Sequence, residues 1–225
     1  MIRRTRNRNS SRNRPLHRSV RAATAALLLA VSLAAGSGAA AETADAFIRA
    51  LGDTAIRELA PNDITPAQRE ARFRELLRTS FDLPRITRFV LGRYARRASD
   101  AEMAEFKTLY EDLAVLTYAQ MFASYAGHVF RVTKQLGAPG DKYVMVVSEL
   151  MQTNGTLAAR LDWQLLVDSS KYAVVDIRVE GVSMAIAQRD EFTAFLDKNN
   201  GNMAALLKEL TGKVKKLRDE RAAAR

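Results

Sequence analysis

No cysteine occurs in the 225 residues, which excludes disulfides, thiolate metal sites and a lipid-modified N-terminal cysteine. Histidine is nearly as scarce: of the two, His17 lies in an arginine-rich N-terminal segment, which leaves His128. A single histidine, with neither a histidine pair nor HExxH, is a poor metal site and a poor catalyst, so His128 reads as structural or surface. The chain has no Walker-type loop and no GxGxxG, so nucleotide binding lacks its usual phosphate cradle. GxSxG is also missing, which removes the common serine-hydrolase signature. The apolar run at residues 22–35 falls short of the roughly 20 residues a membrane span requires, and no second run approaches that length.

What is present begins with charge of one sign. Residues 1–41 carry eight arginines and no acidic residue, then the apolar run, then Ala39-Ala40-Ala41. That order is a secretory signal peptide cleaved before Glu42. Setting it aside leaves 27 basic against 25 acidic residues, so eight of the ten net positive charges belong to the export tag and no nucleic-acid partner is expected. The mature chain is expected in a Gram-negative periplasm, as one domain over residues 42–212 with a basic tail over 213–225 read as a solvated, fraying helix end. Its size is sufficient to bury a core without covalent staples.

Hydrophobic periodicity divides the mature chain in two. Phe47, Ile48, Leu51, Ala55, Ile56 and Leu59 recur at three and four, predicting a helix that Pro61-Asn62-Asp63 ends. Thr65-Pro66-Ala67-Gln68 and Ser99-Asp100-Ala101-Glu102 are capping boxes, each opening a helix, and Asp82-Leu83-Pro84 starts another between them. The helix after Ser99 is predicted to run long, as far as Tyr125, and apolar on more than one face. After Gly127 the period changes to two: Leu157, Ala159, Leu161, Trp163, Leu165 and Val167 alternate with polar residues, and Ala173, Val175, Ile177 and Val179 repeat the pattern. Asn154-Gly155 predicts a two-residue hairpin, and Gly137-Ala138-Pro139-Gly140 joins the two earlier strands. Helical spacing returns after Ser183, with a break at Asn199-Asn200-Gly201.

Chemistry is thinly supplied. Glu102, Glu105, Glu111 and Asp112 fall on a helix whose opposite face is apolar, and Asp162 and Asp176 alternate away from the apolar face of their strands. An acid-base site inside the pocket would have to come from Glu149 or from a different strand register, and no motif supports either. The excess of large apolar side chains on both a sheet and a long helix fits either a packed core or a hollow one. Periodicity does not separate these.

Three segments in order resemble the MlaC, or toluene-tolerance, family of periplasmic phospholipid-binding proteins: Phe89-Val90-Leu91-Gly92-Arg93-Tyr94; Thr117-Tyr118-Ala119 with Tyr125-Ala126-Gly127; and Asp176-Ile177-Arg178-Val179-Glu180-Gly181-Val182-Ser183-Met184. The resemblance spans nearly all the mature chain. It departs at Ala95, where the family often has tryptophan, and at Tyr172-Ala173-Val174, where it often has Trp-Lys-Val. Those departures leave lipid preference open, with hopanoid-linked relatives as an alternative. The resemblance implies an α+β fold, with a four-stranded antiparallel sheet wrapped by helices around an apolar lipid cavity. It also implies no catalysis and no cofactor beyond phospholipid as cargo. The implied partners are an outer-membrane lipoprotein complex and an inner-membrane ABC transporter with an MCE-domain subunit. Lipid contacts are then expected from Leu91, Tyr118, Phe122, Tyr125, Leu161, Trp163, Leu165, Val175, Ile177 and Val179, with Val182 and Met184 at the mouth. The rival expectations are a small enzyme in a cone-shaped α+β cavity and an interaction protein that carries nothing.

Overall fold

The first helices start where their side chains cap them. The computed structural model describes residues 43–138, 140–169 and 171–223; the expected signal peptide and Pro139 of the expected turn lie outside these. Helix α1 (Ala44–Leu59) begins at Thr43, and α2 (Pro66–Ser80) at Thr65, whose hydroxyl accepts from the Gln68 N–H while the Gln68 side chain accepts from the Thr65 N–H. Asp82 caps α3 (Leu83–Leu91), and Ser99 with Glu102 makes the second reciprocal box at α4 (Asp100–Tyr118). Each such cap satisfies backbone donors that a helix start otherwise leaves open.

The helix predicted to reach Tyr125 ends as an α-helix at Tyr118 and tightens into a 3-10 stretch, Ala119–Tyr125. Three residues per turn bring positions i and i+3 into line. Ala119, Phe122 and Tyr125 therefore share one edge, with Ala119 fully buried and the two rings edge to face at 5.6 Å.

The second half is a meander of β1 (Val129–Leu136), β2 (Tyr143–Met151), β3 (Leu157–Asp168), β4 (Lys171–Val179) and β5 (Val182–Ser183), in spatial order and antiparallel throughout. The fifth strand adds two residues to the four expected. The β2–β3 turn is longer than the two residues predicted: Gln152 and Thr156 close it, and Thr153, Asn154 and Gly155 lie between. Asn154 Oδ1 accepts from the Thr156 N–H and hydroxyl, and Gly155 takes the left-handed conformation that ends such a turn.

A bulge shifts the β3–β4 register between Gln164 and Leu165, so that Trp163 faces Ile177 while Leu165 faces Val174. Beyond it the inward positions of β4 change parity. Val174 is fully buried and Tyr172 meets Phe47 at 6.0 Å, whereas the alternation had placed Ala173 inward. The Asp82 N–H donates to the Val174 carbonyl, which docks the α2–α3 link on the bulge and inserts Phe81 between sheet and helices.

Ser183 caps α5 (Met184–Lys198), and α6 (Met203–Ala223) closes the chain. The helix end expected to fray from Lys213 is the second half of α6, and it is tied down. Val214 is buried, Arg218 pairs with Asp112, and Arg221 reaches Glu70 and the Leu116 carbonyl, so this end is fastened to α2 and α4.

Three apolar clusters result among the described residues: a small one joins α2 to the end of α4 around Leu77, Val115 and Ala119, and two are larger. One is all helical, formed by α3, α4, α5 and α6 around Val90, Leu91, Phe106, Phe192, Leu206 and Leu210. The other lies under the sheet, where α1 covers Val144, Val146, Trp163, Leu165 and Val174. Phe81 is packed against all three.

Candidate functional site

Between the sheet and the helices is a cavity of about 460 Å³, within the size range of ligand sites. Its wall is drawn from α1, α2, the end of α4, the following 3-10 stretch, the strands and the start of α5. The most exposed residues on that wall are Met121 at 50% and Val179 at 36%, so the cavity opens between the 3-10 stretch and the end of β4. Leu83, Ile86 and Leu77 are buried at its inner end.

Of the residues singled out from the sequence, Tyr118, Phe122, Tyr125, Leu161, Trp163, Val175, Ile177, Val179 and Met184 stand on this wall. Three do not. Leu91 is fully buried in the helical core, on the side of α3 turned from the sheet. Leu165 lies past the bulge, where it faces Val174 and packs solidly beneath α1. Val182 is 61% exposed, because the two-residue β5 is an outer edge of the sheet.

Sequence reasoning missed the contribution of α1 and α2. Leu51, Ala55 and Ile56 on one helix and Phe73 and Leu76 on the other face the same space. Their heptad-like spacing was visible, but a helix face turned to a void has the same spacing as one turned to packed neighbours. Gly52 is the exception that carried a signal, since a glycine inside a helix costs about 1 kcal/mol relative to alanine. Here a Cβ would come within 2.1 Å of the Phe130 ring, so the missing side chain is what lets Phe130 enter between α1 and Trp163.

The polar groups of the wall gather near α5. The Tyr110 hydroxyl donates to Gln188 Oε1 at 2.5 Å. Burial raises the Tyr110 phenol well above its usual value, with Tyr118 and Asp176 adding to the rise; Tyr118 is also raised by burial and then by Glu191. Both phenols are therefore neutral at ordinary pH. Asp176 was expected to face water, but α5 closes over this end of β4. Its carboxylate accepts from the Ser183 hydroxyl at 2.6 Å and the Ala185 N–H at 2.9 Å. That carboxylate is committed to holding the start of α5. Buried deeper, the Trp163 indole N–H donates to Ser148, whose hydroxyl reaches the Leu161 carbonyl.

His128 packs edge-on against Tyr125 at 5.6 Å, and its Nδ1 is enclosed with no hydrogen-bond partner among the described residues. Among the described residues no group of three or more His, Asp or Glu could hold a metal ion. An apolar chamber with its few polar groups at one side suits a ligand that is mostly hydrocarbon.

Comparison with known proteins gives two findings. A family model described as MlaC protein matches residues 49–212. Among solved structures, a phospholipid-binding protein from Ralstonia solanacearum, in complex with a phospholipid, has the same fold with a TM-score of 0.68. It is 20% identical over 77% of this chain and 98% of that one.

Proposed function

Because the chain belongs to the MlaC family, we propose that it is a periplasmic phospholipid carrier. In this reading the N-terminal segment directs export, and the protein takes lipid between an outer-membrane lipoprotein complex and an inner-membrane ABC transporter bearing an MCE-domain subunit. The observation that carries the proposal is the cavity of about 460 Å³ enclosed by apolar side chains. The phospholipid bound by the Ralstonia solanacearum protein of the same fold supports it.

The physical need is large. Two acyl chains of about 15 methylenes each, at about 0.8 kcal/mol per methylene, would cost on the order of 24 kcal/mol on entering water. A carrier removes that exposure, and it can release its cargo only if its pocket is close in free energy to a bilayer. Wall residues supply the apolar contact, while the Tyr118 hydroxyl and the Gln188 amide N–H offer hydrogen bonds to ester oxygens. With no phosphate-binding loop in the sequence, direction of transfer falls to the partners.

The enzyme reading needs a free inward acid or base. Asp176 is the wall carboxylate, and its oxygens are engaged by Ser183 and Ala185.

The test is lipid extraction and mass spectrometry on the purified protein and on Leu161→Glu. Stoichiometric phospholipid in the parent, lost in a folded Leu161→Glu, is the expected result. Lipid-free parent protein from several preparations, or undiminished lipid in the variant, would refute the carrier.

A further inference from the structure

Outside the cavity, two hollows of about 600 Å³ each adjoin one another and share Arg88 and Phe89. The first lies between α3, β4 and α5; the second runs along the 3-10 stretch Gly92–Arg96 to the start of α4. Their linings together carry six arginines against three aspartates, Asp82, Asp100 and Asp176, an excess of positive charge in a mature chain that is nearly neutral. Arg85 and Arg93 are matched by Asp82 and Asp197. Arg88, Arg96, Arg178 and Arg189 have neither a carboxylate within 4.0 Å nor a side-chain hydrogen bond among the described residues, as the pairs that do form there involve their neighbours.

Arg189 is held in place despite having no anion. Its guanidinium lies 5.0 Å from the centre of the Phe89 ring, and its Nε would be 3.2 Å from a Cβ on Gly92. Gly92 has φ +55°, so glycine there serves both the left-handed turn and the seat of the guanidinium. A planar fork fixed by stacking, with donors unused, is suited to a carboxylate. Beside it Phe89 and Ile186 are 40% and 51% exposed, an apolar anchor point inside the basic rim.

We propose that this double groove docks an acidic segment of a partner protein, with carboxylates on Arg88, Arg96 and Arg189 and one apolar side chain against Phe89 and Ile186. Charge complementarity sets the sign of the occupant. Concavity sets its form: an extended chain can follow two joined hollows, whereas a bilayer surface meets only their rims. The inference does not depend on what fills the cavity.

The test uses the full mature chain and a fluorescein-labelled peptide alternating glutamate and serine with one central leucine, read by anisotropy. A lysine-for-glutamate peptide is the charge control. The glutamate peptide is expected to bind, more weakly as salt rises, and Arg88→Ala with Arg189→Ala should lower affinity at least ten-fold. Arg189→Lys should fall between, because it keeps charge and loses the stacked fork. Lys134→Ala with Lys171→Ala, on exposed strand positions, should bind as the parent does. Should the double variant fail to fold by circular dichroism, Arg96→Glu supplies the same test. Equal binding of the lysine peptide overturns the proposal, as does full affinity in the arginine variants. Arginine-dependent binding of phosphatidylglycerol vesicles without peptide binding also overturns it, assigning the groove to a membrane.

Discussion

Truncating two leucines to alanine should separate the hollow core from the filled one. Leu210 is 0% exposed in the helical core, closed in on every side. Its truncation removes transfer free energy and leaves a new void, which together cost about 2–5 kcal/mol. Leu161 stands half-buried on the cavity wall, opposite the space that α1 and α2 enclose. Its truncation enlarges a space that already exists, so the cavity penalty is mostly absent and about 1 kcal/mol is expected in delipidated protein. Loaded protein should respond differently, since under the proposed function the three lost carbon groups would each lie against the acyl chain. At about 0.1–0.2 kcal/mol per atom pair, the summed loss is about 1 kcal/mol and about five-fold in lipid affinity. Urea unfolding of delipidated and lipid-loaded samples reads both quantities, because a ligand stabilises through its binding to the native state. If Leu161→Ala costs as much as Leu210→Ala in delipidated protein, the space beneath the sheet is closed by protein and the hollow-core argument fails.

Gly52→Ala should improve α1 by intrinsic propensity yet destabilise the protein by about 1–3 kcal/mol, because the added methyl displaces the Phe130 ring; thermal denaturation measures the sign, and a stabilised variant would refute the packing role. Arg69→Met should cost about 3 kcal/mol, since the buried Arg69 donates to the Leu59 and Pro61 carbonyls at 2.7 Å and to Gln120 at 3.1 Å, closing the C-terminus of α1. Glu111 is pushed up by burial, but hydrogen bonds from Arg78 and Arg74 outweigh this and hold its pKa below 4.5. Its stabilising contribution is therefore complete above that value and lost as pH falls through the lower folded one. Glu111→Gln should lose about 1–3 kcal/mol at neutral pH and flatten the acid limb of Tm against pH, and an unchanged limb would refute the assignment.

Much of the fold could be read from local chemistry. The reciprocal bonds at Thr65–Gln68 and Ser99–Glu102 depend on residues three apart, so their sequence is their geometry. The strands of the second half were equally plain where alternation is unbroken. The β4 bulge was hidden because Ala173, Val174 and Val175 are all apolar, and a phase change among apolar residues leaves no mark in the pattern. The tail escaped for a different reason: Arg218 and Arg221 look like solvated charge until Asp112 and Glu70, more than a hundred residues away, are brought beside them. For the cavity, the strand residues and the Tyr118–Tyr125 segment were accessible from pattern and resemblance together. Leu91 and Leu165 misled because hydrophobicity reports removal from water and is silent about whether protein or empty space lies on the other side.

The separation of the two larger cores bears on how such a chain can change over generations. The largest buried cluster lies where α3 to α6 interlock, whereas the chamber is bordered by side chains such as Ala55, Ala114 and Ala159. Enlarging or trimming the latter group alters the shape of the chamber without changing a residue of that cluster. Descendants can thus be refitted to differently shaped guests through single substitutions, each passing through a fully folded ancestor.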